Sequence, residues 1–405
     1  MAGGAVTPPL PLEEAQARLL ALAQPLPIER DDVAGALGRY LAEPLVARRT
    51  QPAADLSAMD GYAVAAEDMA GPWRIIGESA AGHPCERPIG RGYAARIATG
   101  ALLPDGAGAV ILQEDCVRRG DTLELTGSPP SPPGKHIRRR GMDFIEGVEL
   151  LPAGARVGPA QIGLALAAGH THLAVRPAPR LAILDSGDEL ATDPERCAAH
   201  QIPASNGAML TALAKSVPCV VTRLGPIRDD SAELALALRQ AEDADVVVTI
   251  GGASVGDHDL IRPAVEAWGA DLDFWRIAIK PGKPLLVARR GRQVIVGLPG
   301  NPISSHVTGF LFLLPLLRAL LGAGECLPRV VAATLASPVG HAGKRREFLR
   351  GHWDGRRVTA HPVQDSAALS ALAASNALID RPAGAPAQDA GSDVPIYLLE
   401  NGGVA

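Results

Sequence analysis

The sequence predicts an α/β-plus-β protein of several domains, organised around one doubly wound α/β domain. Three observations carry that prediction. Residues 181–325 alternate short β-branched runs with stretches of helical periodicity. The regions on either side, 51–141 and 326–405, read as short strands between proline and glycine turns. The chain has 405 residues, enough for two to four domains.

Taken in order, residues 1–10 carry no periodic pattern, and Leu12–Ala23 spaces its leucines on one helical face, with Glu13 and Glu14 suited to a first turn. A second helix is expected over Asp31–Leu41, ending near Pro44. Asp60-Gly61 marks a turn leading into a strand, and further strands follow at Trp73–Ile76, Ala94–Ile97, Ala109–Gln113 and Thr122–Leu125. Ser128–Gly134 reads as a loop, and Arg138–Arg140 is a basic run that ends on Asp143. Pro159–Ala168 reads as a helix, Leu173–Val175 as a strand, and Pro177–Arg180 as a boundary.

The α/β stretch then runs Leu181–Leu184, Gly207–Lys215, Cys219–Leu224, Ala232–Ala241, Val246–Ile250 and Leu260–Trp268. Strands near Phe274–Ile279, Pro284–Ala288 and Gln293–Gly297 precede a helix from Ile303. Functional-looking residues cluster just after strands: Ser186–Glu189, Arg228–Asp230, Gly251–Asp259 and Leu298–Pro302. That edge is where open α/β sheets bind ligands. The most telling stretch is Asp245–Pro284. Its strand is followed by Gly251, Gly252, Ser254, Gly256 and Asp259, then by a helix, an order that aims backbone N–H groups at an anion. It closes on Lys280 and Lys283, two ammonium groups on a proline-stiffened loop.

Composition narrows the function classes. The net charge is −5 and aromatic residues make up 3% of the chain, so neither a global basic field nor a base-stacking surface is indicated. Nucleic acid is therefore not an expected partner. The five cysteines are scattered and form no CxxC pair, which suits a reducing cytoplasm and no disulfide framework. No signal-peptide pattern is visible. The most apolar segment, Val307–Leu321, is interrupted by Pro315 and Arg318 and reads as a buried helix, not a membrane span. His170 and His172 read as a strand pair, not metal ligands.

The ordered set SAMDGYAV, IATGALLPDGAGAVILQED, IRRRGMD, SGDEL, GGASVGDHD, AIKPGKP and GLPGNP resembles the MoeA family of molybdopterin molybdenumtransferases, from Leu12 to about Gly384. The resemblance implies an elongated subunit of four domains: domain I from 1–50 and 142–178, a β-rich inserted domain II at 51–141, a molybdopterin-binding-like α/β domain III at 179–325, and a small β-barrel domain IV at 326–405. It implies a homodimer in which domain II of one subunit faces the domain III cleft of the other.

The family's activity inserts molybdenum from molybdate into the dithiolene of molybdopterin. Adenylylated molybdopterin is the substrate, AMP is released, and Mg²⁺ assists. The acidic positions carried over are Asp60, Asp143, Glu189, Asp229 and Asp259, with Lys280 beside them in the catalytic set. Glu189 and Asp259 are the implied Mg²⁺ ligands. Thr99, Gly251, Gly252, Ser254, Gly256, Arg276, Lys280, Lys283, Pro299, Gly300 and Asn301 are the implied contacts to the pterin substrate. Lys283, Ser304, Arg345 and Ser366 match positions associated with molybdate. A molybdopterin adenylyltransferase is an implied partner. Departures from the family pattern are Leu56 for a usual Asn, Met142 for a usual Glu, Ala204 near a usual acid, and Arg276 for a frequent Lys. Two alternatives remain open at this point: an adenylyltransferase-like enzyme, whose single α/β domain does not account for the flanking regions, and a non-catalytic pterin-binding or scaffold protein.

Overall fold

Three separate β-systems, each with its own core, set the architecture in the computed structural model, which describes residues 8–251 and 260–399. The accessible surface is 19640 Å², against roughly 15,000 Å² for a compact chain of this mass. That excess belongs to an elongated, multidomain subunit.

Chain segments before and after the inserted sheet pack together. Glu29–Asp32 pairs antiparallel with His172–Val175, and Leu45–Val46 with Glu149–Leu151. Val33, Leu41, Val157, Leu173 and Val175 share their core. The helix expected over Asp31–Leu41 does not form. Asp32 instead accepts from the N–H groups of Ala34 and Gly35, both at 2.9 Å, and closes a turn. Gly38 then takes a φ of 79°, which a helix cannot use.

The inserted region is a six-stranded sheet. Its strands, named by first residue, run in the order Ala109, Gly61, Tyr93, Trp73, Thr122, Cys116. Val64, Trp73, Ala94, Ile111 and Leu123 fill its core.

The central sheet also has six strands, beginning in spatial order at Val220, Arg180, Val246, Gln293, Leu286 and Asp271. The first four are mutually parallel, and the strand at Leu286 runs antiparallel to both its neighbours, those at Gln293 and Asp271. Side-chain alternation builds two cores. Leu181, Ile183, Val246 and Val248 face the helices Asn206–Ala214 and Pro302–Leu320, while Ala182, Leu184 and Val247 face Ser231–Gln240 and Ile261–Ala267. Helices on both faces make the domain doubly wound.

The 19-residue helix Pro302–Leu320 is, among the described residues, long and apolar enough to cross a membrane, but it is largely buried as the core of this layer. Its Pro315 has no N–H and disturbs the ladder at Leu311. A π-turn over Gly309–Leu313 absorbs the disturbance, and the amide of Gln16 donates to the carbonyl of Leu311 at 2.9 Å. Gln16 lies on the first helix, Leu12–Leu22, whose Leu12, Ala15 and Leu19 belong to this same core. The first helix, expected with domain I, thus packs on the central domain.

Five strands of the C-terminal region close into a barrel. Arg346–Trp353 pairs with Arg357–Ala360 and Ala377–Arg381, and Val330–Leu335 with Arg357–Ala360 and Asp393–Leu398. Pairing of Ala377–Arg381 with Asp393–Leu398 completes the ring. The strand expected near Phe274–Ile279 divides. Asp271–Trp275 edges the central sheet, and Ile279–Lys280 pairs in parallel with Arg346–Glu347 of the barrel. This short strand ties the two domains together beside the cavities described next.

Candidate active site at the junction of the α/β and barrel domains

The strands Arg180–Ser186 and Val246–Ile250 are parallel neighbours. After the first, the chain goes to a helix on one face; after the second, to a helix on the other. Their carboxyl ends therefore diverge and leave a crevice. A cavity of about 610 Å³ occupies it, lined by Asp185, Ser186, Glu189, Asn206, Gly251 and Asn301 among others. Gly251 has a φ of 90°, and a Cβ there would lie 2.6 Å from the Ser186 carbonyl oxygen, so only glycine fits. Asp185 is buried, and burial raises its pKa above the usual carboxylate range against the pull of Arg223, 3.3 Å away. A Cβ on Gly207 would meet the Asp185 carboxylate at 2.0 Å, so glycine lets this carboxylate sit against the start of the helix Asn206–Ala214.

A second cavity of about 380 Å³ shares Pro284, Pro299 and Asn301 with the first. Lys280, Lys283, Ser304, Arg345, Arg350 and Ser366 line it. Lys283, Ser304, Arg345 and Ser366, widely separated in sequence, are thus brought to one wall system. Local contacts hold them there. Arg345 donates to the Ile279 carbonyl at 3.0 Å. The Ser366 carbonyl accepts from the N–H of Ile303 at 3.1 Å, fixing the barrel loop to the helix start that carries Ser304. Lys280 pairs with Glu347 at 3.1 Å, so part of its charge is already committed.

The neighbouring Arg346 has another fate. It reaches Asp380 at 2.7 and 2.5 Å and also pairs with Glu13. Hydrogen bonds to Asp380 raise its pKa further above an already basic value.

The acidic residues are dispersed. Glu189 lines the first cavity. Asp229 is exposed, and its N–H donates to the Asp188 carboxylate at 3.2 Å. Asp230, not Asp229, caps the helix Ser231–Gln240 through the N–H groups of Ala232 and Glu233. Asp60 and Thr99 lie together on the inserted domain, where the Thr99 N–H donates to Asp60 at 2.7 Å and holds its carboxyl below the usual range. A Cβ on the adjoining Gly61 would fall 2.0 Å from the Ile111 carbonyl oxygen, which fixes this turn tightly to the sheet. Asp143 is exposed, with its N–H donating to Gln51 at 3.1 Å. Neither Asp60, Thr99 nor Asp143 lines either cavity of its own chain. Arg276 is not brought to the cavities; its guanidinium lies 4.7 Å from the Trp275 ring centroid. Pro299, Gly300 and Asn301 line the first cavity. Gly252, Ser254, Gly256 and Asp259 lie outside the described residues.

Two contributors escaped the motif reading. Asn206 donates to the Gly300 carbonyl at 2.6 Å and so anchors the 298–302 loop. Arg350, 1% exposed, donates to the carbonyls of Val363 and Asp365 at 3.3 and 3.1 Å and braces the loop bearing Ser366. Strand alternation offered a signal for the latter: Arg350 shares the inward phase with Phe348, and an inward charge usually has a task.

Comparison with known proteins gives a consistent picture. Three family models match in succession: the MoeA N-terminal region (domain I and II) over 10–169, a "probable molybdopterin binding domain" over 182–319, and the MoeA C-terminal region (domain IV) over 332–399. Molybdopterin molybdenumtransferase 2 of Mycobacterium tuberculosis is 34% identical over 381 residues, covering 90% of this chain and 93% of that protein. The molybdopterin molybdenumtransferase of Haemophilus influenzae is 32% identical, with 91% and 94% covered. The crystal structure of the molybdopterin biosynthesis moeA protein from Pyrococcus horikoshii OT3 superposes with a TM-score of 0.84 at 27% identity, covering 96% of this chain and all of that one.

Proposed function

The chain belongs to the MoeA family, and from that premise we propose that it is a molybdopterin molybdenumtransferase, which inserts molybdenum from molybdate into adenylylated molybdopterin with release of AMP. The observation that carries the reading is the pair of adjoining cavities. One offers a crevice with backbone donors and the carboxylates of Asp185 and Glu189, the other two ammoniums, two guanidiniums and two serine hydroxyls against the carboxylates of Glu347 and Asp365.

Molybdate is a tetrahedral dianion and takes donors from several directions. Lys283 and Arg345 supply charge, and Ser304 and Ser366 supply neutral donors. Ser304 also sits in the first turn of the Pro302–Leu320 helix, whose dipole favours an anion. The substrate's phosphates belong along Gly251, Gly300 and Asn301, with Lys280 at the seam between the cavities. That arrangement sets the dithiolene end of the pterin next to the oxyanion pocket. Glu189 orients the water or phosphate oxygens at the crevice.

Mg²⁺ fits this donor set. Among the described residues no three acidic, histidine or cysteine side chains form a metal cluster, and Mg²⁺ commonly takes only one or two carboxylates and completes its shell with phosphate oxygens and water. Glu189, with Asp259, would hold it, and it would supply charge neutralisation for the leaving AMP. Asp60, Thr99 and Asp143 act from the second subunit of a homodimer, since they face neither cavity of their own chain. A molybdopterin adenylyltransferase supplies the substrate, in the cytoplasm, where the five free cysteines stay reduced.

The test is direct. Purified protein incubated with adenylylated molybdopterin, Mg²⁺ and molybdate should yield AMP and molybdenum-bearing cofactor together. AMP without metal insertion, or metal insertion without AMP, contradicts the reading.

A further inference from the structure

We propose that the adenine base of the substrate occupies a third cavity, an uncharged pocket beside the crevice, with the imidazole of His306 as its hydrogen-bond donor. The inference rests on the reading of the crevice as the phosphate site. The third cavity measures about 770 Å³, and Ser205 and Leu369 line both it and the crevice. Among the described residues it shares no lining residue with the oxyanion recess, which itself adjoins the crevice through Pro284, Pro299 and Asn301. The crevice therefore links the two. The groups of adenylylated molybdopterin run in the same order: the dithiolene-bearing pterin, the phosphates, then the adenosine. With the dithiolene at the oxyanion recess and the phosphates in the crevice, the base comes to the third cavity.

Its walls come from both domains. Met209 stands on the helix Asn206–Ala214 and His306 on the core helix Pro302–Leu320. Leu372 stands on the short helix Leu369–Ala373, and Leu399 follows the last barrel strand. None of the described lining residues is an aspartate, glutamate, lysine or arginine, whereas each of the other two cavities carries charged side chains. A phosphate finds no countercharge there. A flat neutral ring covers the leucines and meets the Met209 thioether, a favourable partner for an aromatic edge. The polar groups of the barrel wall are already engaged. The Asn376 amide accepts from the Trp353 N–H at 2.7 Å and donates to the Trp353 carbonyl at 2.9 Å, and the Ser375 hydroxyl donates to the Ala371 carbonyl at 2.7 Å. Ser205 and His352 are exposed. His306 is different. Neither of its ring nitrogens has a hydrogen-bond partner among the described residues, and Nδ1 is the buried one. Burial pushes the imidazole down to about 4, so the ring is neutral near pH 7. With Nδ1 sealed off and unpartnered, the proton is best placed on Nε2, where a ligand can accept it. Adenine offers ring-nitrogen acceptors to such a donor, and a neutral donor suits a neutral base.

Calorimetry on the full chain compares AMP with ribose 5-phosphate, which carries the same sugar and phosphate but no base. AMP should bind about tenfold more tightly or better, the effect of burying one aromatic ring. His306→Ala should weaken AMP about fivefold to tenfold, the loss of one hydrogen bond and its packing, and leave ribose 5-phosphate unchanged. His306→Gln keeps an N–H near the place of Nε2 and should restore most of the affinity. Ala373 lines the cavity from the barrel side and is exposed, so Ala373→Phe fills the space without touching the core helix. It should cost AMP a similar factor, and it decides the matter if His306→Ala does not fold. Equal affinities for AMP and ribose 5-phosphate in the wild type overturn the proposal and leave the phosphate crevice standing. An AMP affinity unchanged in Ala373→Phe, or in folded His306→Ala, also overturns it, as does a loss shared equally by both ligands. Binding of neither ligand contradicts the phosphate reading of the crevice, and the base site falls with it.

Discussion

Two regions of this molecule treat charge in opposite ways. On the inserted domain, Asp60 stands in the open beside Thr99, with Arg96 of the adjoining strand the one positive charge that acts on its carboxylate among those resolved. At the α/β–barrel junction, Lys280, Lys283, Arg345 and Arg350 outnumber the carboxylates of Glu347 and Asp365 in one recess with two serines. The α/β–barrel junction thus gathers cations beside the carboxylates Asp185 and Glu189, whereas Asp60 stands apart from both cavities of its own chain. The difference is what the proposed reaction would use: if Asp60 takes part, it must reach the cavities from a second copy of the chain.

The largest effect should come from breaking that division of labour. Asp60→Asn and Arg345→Ala homodimers should each lose about a hundredfold or more in turnover, within the range of a lost acid–base or electrostatic group. Mixed heterodimers, separated by two affinity tags, should recover up to about half of wild-type activity, one intact site per C₂ pair. A verified heterodimer as inactive as its parents would place all the chemistry within one subunit.

Adjacent arginines sharpen the comparison next. Arg345→Ala should weaken molybdate binding about tenfold and leave pterin-nucleotide affinity nearly unchanged. Arg346→Ala should do the reverse of what its sequence neighbour does. It strands the buried Asp380, so stability should fall by about 3 kcal/mol, while the folded protein keeps its molybdate affinity. Equal molybdate affinities in the two variants would remove the barrel from the chemistry.

Glu189→Gln comes third. It keeps the side chain's size and removes a negative charge from the crevice, so AMP release in a single turnover should slow about tenfold, with substrate affinity little changed. Hydrolysis at the wild-type rate would release Glu189 from its role. The smallest effect belongs to Lys280→Ala. Its ammonium is half-exposed and paired with Glu347, and such pairs contribute about 1 kcal/mol or less, so nucleotide-pterin affinity should drop only about threefold to fivefold. A hundredfold loss would mean that Glu347 yields the lysine to substrate.

Much of the architecture was legible before the structure, for reasons that differ by element. The parallel strands showed because they are buried on both faces and spell continuous runs such as Val246–Ile250. Asp31–Leu41 misled because apolar spacing outweighed Gly35 and Gly38, where a side-chain cap and a positive φ close a turn. The short strand Ile279–Lys280 was merged with its predecessor because its pairing partner, Arg346–Glu347, lies far along the chain. Long-range satisfaction was equally silent: no local pattern links Gln16 to the carbonyl that Pro315 leaves free. At the cavities, Gly251 and the lysine loop were picked out from physical chemistry alone, whereas Ser304, Arg345 and Ser366 came only through the family resemblance. A serine in a helix start and an arginine in a basic run look ordinary until the fold brings them to one wall. Asn206 and Arg350 act on backbone carbonyls of distant loops, and such partners have no spacing signature.

The central claim is that the recess between Lys283 and Arg345 holds molybdate, and anomalous scattering at the molybdenum edge tests it most directly. In crystals grown with molybdate, the account expects a metal peak in hydrogen-bonding reach of Lys283, Arg345 and the hydroxyls of Ser304 and Ser366, absent in crystals of Arg345→Ala. A wild-type recess without molybdenum, at molybdate concentrations that support turnover, would contradict it.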